Sequence, residues 1–247
     1  MKTSAMRTSV SATLCLAACA TLTLVLTACT VRNPVIDPGG ETYDGMLPVR
    51  DSGMRDAWVK PDINVSAYRK MLLLPAELQF RATRPGAGTS PGRSQDDAFP
   101  LSPADQKRLA DTLTEVFREE LAKSRNLTLT TEPGPDVLLV HTSLLDIVSK
   151  VPPEGAGRTE VYLDKVGEAT LVLELQDSMS GETLARAVDR RAADPIATGG
   201  GGLSDLTRVT SVTAWSEVRR VARRWASTVT QRIDQLYTRG KIPSGTP

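Results

Sequence analysis

The sequence predicts an α+β fold: a two-layer sandwich in which a mostly antiparallel sheet of four to five strands is packed by two amphipathic helices. Three observations predict it. Residues 102–124 and 213–237 each repeat apolar side chains at helical spacing. Within 169–177, Leu171, Leu173 and Leu175 share one face and Thr170, Glu174 and Gln176, with Val172, share the other, the period of a strand with one buried face. The elements run strand, helix, several strands, helix, and two striped helices bury themselves most simply on one sheet face. Composition agrees with this. A chain of 247 residues, 40% hydrophobic and 24% charged, supports one domain, or two small ones, with a true core. It is too polar for a multi-span membrane protein and too apolar for a wholly disordered chain.

The N-terminus reads as an address. Lys2 and Arg7 precede an apolar run from Ala12 to Leu26, which ends in Leu26-Thr27-Ala28-Cys29. The run is shorter than the roughly 20 residues of a spanning helix, and small residues before the cysteine suit signal cleavage. The tetrapeptide resembles the bacterial lipobox, in which the cysteine thiol is acylated and becomes the first residue. Leu16-Ala17-Ala18-Cys19 has the same form, but cleavage there would leave Thr21 to Leu26 as an apolar stub. Cys29 is therefore the expected lipidation site. Processing would remove residues 1–28 and leave 219, with no free thiol and no internal disulfide. Acyl chains bury about 0.8 kcal/mol per methylene, so two or three anchor the chain durably. Thr30 stands where an aspartate would resemble an inner-membrane retention signal, which favours the outer membrane, facing the periplasm.

Residues 29–57 are expected to be the lipidated cysteine and a flexible tether, because Pro34, Pro38, Gly39, Gly40, Gly45, Pro48 and Gly53 interrupt regular structure. A single periplasmic domain is expected over 58–238, with a disordered tail at 239–247. Residues 69–80 read as the first strand and 81–100 as a long loop. Ser102 as N-cap, Pro103 at N1 and Asp105 at N3 open the first helix. Its stripe is Leu109, Leu113, Val116, Phe117 and Leu121. Short strands follow at 126–131 and 161–166, with a long apolar one at 137–148. Residues 169–177 and 182–192 form a hairpin around Ser178 to Gly181. Gly199 to Gly202 make a joint. The last helix buries Val218, Val221, Ala222, Trp225, Val229, Ile233 and Leu236.

Several segments in fixed order resemble a bacterial lipoprotein family, domain of unknown function 3313. They are Tyr43-Asp44-Gly45-Met46-Leu47, Trp58-Val59-Lys60-Pro61, the run from Ser66 to Pro75, Leu101-Ser102-Pro103, and Glu132-Pro133-Gly134-Pro135-Asp136. The resemblance spans about Tyr43 to Tyr237, with Met46 inserted before Leu47 as a small departure. It implies no catalytic residues. The strand–helix order is also similar to accessory lipoproteins of envelope assembly or transport systems, an analogy of fold alone.

Tests for chemistry point away from an enzyme. Gly88-Thr89-Ser90-Pro91-Gly92 matches a nucleophile elbow, yet the residue after Ser90 is a proline and has no N–H for an oxyanion hole. His141 is the single histidine, and Ser143 lies two residues along the same strand, about 6.5–7 Å away, too far for a direct bond. Metal ligands are too few for a zinc site. Asp96-Asp97 reads as a solvated pair, and Glu119 and Glu120 point about 100° apart on their helix. Gly199 to Gly202 lacks the lysine of a phosphate loop. No cofactor is expected.

The last helix carries the best candidate surface. Between Thr213 and Arg239, six arginines face two carboxylates. Arg219 and Arg223, and Arg220 and Arg224, are i,i+4 pairs that make a ridge beside the apolar stripe. Such a ridge suits anionic lipid headgroups or an acidic envelope partner. Nucleic acid is not expected, because 30 basic residues meet 29 acidic ones and only 4% of the chain is aromatic. The expected function is thus a non-enzymatic interaction or accessory component of a bacterial envelope system. The alternative is a binding module for a small envelope molecule or lipid between sheet and helices, and a weaker one is a hydrolase using Ser90 or Ser143 with His141.

Overall fold

The computed structural model describes residues 33–39, 44–82, 99–151, 161–163, 165–194, 207–240 and 242–244. Cys29, Ser90, Asp96, Asp97 and Gly199 to Gly202 lie outside the described residues. In chain order the elements are β1 (Val35–Ile36), β2 (Leu47–Arg50), β3 (Asp56–Val59), a short 3-10 turn at Val65–Ala67, β4 (Lys70–Leu73), β5 (Glu77–Phe80) and α1 (Pro103–Leu121). They continue with β6 (Thr128–Thr130), β7 (Val137–Ser149), β8 (Val161–Leu163), β9 (Gly167–Asp177), β10 (Thr183–Ala193), β11 (Thr207–Val209) and α2 (Ser211–Arg239).

The architecture is α+β, but the sheet is larger than expected and mixed. Among the described residues nine strands join in the order β1-β2-β3-β10-β9-β7-β4-β6, with β5 beside β7, and β8 pairs with β11 separately. The expected count of four to five fails because the turn-forming residues of 33–57 punctuate short strands instead of excluding them. β1, β2 and the start of β3 lie in the stretch assigned to a tether, and Met46 there is fully buried. The mostly antiparallel expectation fails at β4. Met71 of β4 pairs in parallel with Leu129 of β6 and Leu138 of β7, and β5 runs parallel to β7. The reason is topological: a helix between neighbouring strands is a crossover, and a crossover returns the chain to the same end of the sheet. β7, β9 and β10 are antiparallel neighbours, and the hairpin is present. Its turn is held by Asp177, which accepts from the amides of Met179 and Ser180 at 3.0 and 2.8 Å, with Gly181 at φ +71.

Both helices begin as the residue types dictate. The Ser102 hydroxyl accepts from the Asp105 amide at 3.1 Å, and Thr210 and Thr213 cap α2 reciprocally. The predicted stripe of α1 is buried throughout, and in α2 Val221, Ala222, Trp225, Val229 and Ile233 are buried, with Val218 and Leu236 partly so. Against them the sheet presents Leu138, Val140 and Leu144 of β7 and Leu171, Leu173 and Leu175 of β9. The alternate side chains, including His141, Ser143, Glu174, Arg186 and Arg190, point to the opposite face, as period-2 geometry requires. Asp234 of α2 ties the layers at one end by accepting from Ser124 Oγ, Asn126 Nδ2 and the Arg125 amide.

Candidate functional site

The helices do not close on the sheet along their whole length. At their N-terminal ends, a cavity of about 570 Å³ lies between α1, α2 and the converging ends of β7, β9 and β10. Its floor is built by the periodic positions that make the core elsewhere: Leu109 and Leu113 of α1, Leu144 and Val148 of β7, and Val221, Ala222 and Trp225 of α2. All of these are buried. Two features hold this end of the sheet in shape. Gly167 sits where a Cβ would meet the Val148 carbonyl oxygen at 2.5 Å, so β9 crosses β7 more closely than any side chain permits. Trp225 donates its indole N–H to Asp189 Oδ2 at 2.8 Å, which fixes the ring against β10. The rim is polar. Ser102, Asp105, Arg108, Ser149, Glu168 and Arg191 line the cavity, each exposed at least in part. Arg108 stacks on the Trp215 ring with its guanidinium carbon 4.3 Å from the centroid.

A second polar cluster occupies the opposite face of the sheet. Asp146 stands at a β-bulge: two residues of β7, Asp146 and Ile147, oppose the single Ala169 of β9. Its φ of +53 places it in the left-handed region, which aspartate tolerates better than most residues. The bulge aims its carboxylate at Arg81 and Arg190, each with a bond of 2.6 Å, and Arg190 also reaches Glu168 at 2.6 Å. The hydrogen bond from Arg81, then that from Arg190, holds the Asp146 carboxyl well below the usual carboxylate range. Farther along, Tyr68 donates to Asp177 at 3.0 Å. Burial, reinforced by that carboxylate, pushes the Tyr68 phenol up to about 12.

His141 lies on this face between two carboxylates, Glu77 Oε1 at 3.3 Å from Nε2 and Glu174 Oε2 at 3.8 Å from Nδ1. Nε2 is buried and makes no hydrogen bond. Ser143 shares the face, but the register sets it opposite Glu77 and Val172. The arginine ridge is largely engaged with α1 and with its own helix. Arg219 bonds Glu115 at 3.1 Å, Arg220 bonds Glu217 at 2.6 Å, and Arg223 approaches both Glu119 and Glu120, at 3.8 and 3.5 Å. Glu119 and Glu120 therefore flank one cation from two directions. Arg224 is exposed. Among the described residues no three His, Cys, Asp or Glu side chains gather as metal ligands, and no described helix is long and apolar enough to cross a membrane.

Arg108, Trp215 and the Asp146 cluster carry no local mark in the sequence, because their partners come from distant elements. One signal was available: the chain has only three tryptophans, and two of them line the cavity.

A family model described as protein of unknown function DUF3313 matches residues 39–229. No curated protein matches. Solved structures match at low identity. The PelC dodecamer from Paraburkholderia phytofirmans is 9% identical over 72% of this chain and 94% of its own, with a TM-score of 0.34. A putative neuraminyllactose-binding hemagglutinin homolog from Helicobacter pylori is 10% identical over 70% and 91%, with a TM-score of 0.37. Protein XCC0632 from Xanthomonas campestris is 11% identical over 71% and 90%, with a TM-score of 0.35.

Proposed function

This chain belongs to the DUF3313 family of proteins of unknown function, and we propose that it is a non-enzymatic envelope lipoprotein that binds a small apolar molecule or lipid between its sheet and its helices. The observation that carries the reading is the 570 Å³ cavity with its buried apolar floor and polar rim. That volume lies within the roughly 300–1,000 Å³ of ligand sites. The lipobox ending in Cys29 supports an acyl anchor, most simply in the outer membrane on its periplasmic side. The pairing of His141 with Glu77 and Glu174 supports a structural histidine rather than a serine-activating base. Arg219 and Arg223 spend their charge on α1, so the ridge offers less to an acidic envelope partner than its composition suggests.

Purification of the lipidated protein from its membranes, followed by native mass spectrometry, tests the reading. A stoichiometric small molecule is expected in the wild type and absent when Ala222→Phe or Ala193→Leu fills the cavity. An empty wild type, or a molecule retained equally by folded filled variants, refutes cavity binding. A stoichiometric protein partner captured by crosslinking in cells and lost in Arg220→Glu/Arg224→Glu would favour the accessory role instead. Radiolabelled palmitate should enter the protein and be lost in Cys29→Ser.

A further inference from the structure

The cavity separates apolar from polar lining by depth. Among the described residues, its buried lining side chains are apolar, whereas every polar side chain that lines it reaches solvent at least in part. A ligand matched to it is therefore amphiphilic, with its apolar part inside.

The rim charges narrow the head. Glu168 is bonded by Arg190 at 2.6 Å, and Arg191 is paired with Asp189. Asp105 accepts the Ser102 hydroxyl at 2.7 Å and sits in the first turn of α1, where the helix end favours a carboxylate. Arg108 differs. It is exposed, makes no ion pair among the described residues, and lies over Trp215 at 4.3 Å. Stacking uses the face of a guanidinium and leaves its in-plane N–H donors free for a carboxylate or phosphate. The volume narrows the tail. At ~30 Å³ for each methylene-sized group, 570 Å³ holds about 19 groups. That is room for one long acyl chain.

We infer that the cavity takes a single-chain amphiphile with an anionic head, the chain lying on the floor at Trp225 and the head meeting Arg108 beside Trp215. The inference rests on the cavity being a binding site, and the test separates the two.

The full chain carrying Cys29→Ser, so that no acyl group of its own competes, is titrated with bromine-labelled stearic acid and with the corresponding bromine-labelled C18 alcohol. Quenching of tryptophan fluorescence is the readout, because Trp215 and Trp225 line the cavity. The acid should quench saturably and bind at least about tenfold more tightly than the alcohol, the scale of a hydrogen bond to a charged group. Arg108→Gln should abolish that preference while leaving the alcohol's affinity unchanged, which also reports an intact cavity. Arg108→Lys should restore part of it. Equal affinity for acid and alcohol in the wild type, an acid affinity untouched by Arg108→Gln, or tighter binding of a two-chain phosphatidic acid would overturn the inference and leave cavity binding standing. Absence of quenching by either probe would overturn both.

Discussion

Truncating Asp189 to alanine should destabilise the fold by about 3–4 kcal/mol, at the low end of what breaking a buried charge pair costs. Asp189 is 7% exposed and is one of few charged residues on the helix-facing side of β10. It satisfies three donors from three parts of the chain: the Trp225 indole at 2.8 Å, the Arg55 amide at 3.1 Å, and the Arg191 guanidinium. Trp225 is 3% exposed, so its orphaned N–H alone costs about 1–3 kcal/mol. Arg191 is 21% exposed, so water compensates it in part, which keeps the total below the upper limit for buried pairs. Asp189→Asn retains one acceptor oxygen and the side-chain volume, and should cost about half as much. Urea denaturation at neutral pH measures both, and an unchanged slope would show that the surface exposed on unfolding is the same. A loss below about 1 kcal/mol for alanine, or equal losses for alanine and asparagine, would refute the idea that this carboxylate anchors α2 to the sheet.

Three further outcomes follow from single sites. Gly167→Ala forces a Cβ to within 2.5 Å of the Val148 carbonyl and should cost about 1–3 kcal/mol in the same denaturation assay, with ligand binding weakened because this crossing shapes the cavity. The folded Asp146 carboxyl titrates below its unfolded value, so its stabilising contribution is full above about pH 4 and is lost as pH falls toward the folded value. Asp146→Asn tolerates the same positive φ, and its stability should fall less steeply than the wild type's below about pH 4 in a pH series of thermal melts. His141→Ala and Ser143→Ala should each leave binding of the bromine-labelled acid within about twofold of wild type, since both lie on the face of the sheet opposite the helices.

The helices were legible because each records its own placement locally. Ser102, Pro103 and the stripe from Leu109 to Leu121 mark a start and a buried face within one segment, and both lie where expected. The β9–β10 hairpin was legible for the same reason, since a four-residue turn and the alternate leucines Leu171, Leu173 and Leu175 are short-range signals. The short strands β1 to β3 were not. Two to four residues among prolines and glycines carry too little periodicity to read, and they become strands only because a neighbouring edge supplies hydrogen-bond partners.

By itself the sequence determined the class of the fold, the faces its helices and hairpin would bury, and its membership of a family, because these depend on residue order along the chain. Tertiary structure alone decided the strand order, the parallel pairing of β4 with β7, the fate of the arginine ridge, and the cavity. Glu115, Glu119 and Glu120 reach Arg219 and Arg223 only because α1 lies against α2. Leu113, Val148 and Trp225 each read as ordinary core residues, and nothing local distinguishes them. A cavity is the volume that packed elements fail to fill, so it exists only once their relative positions are set.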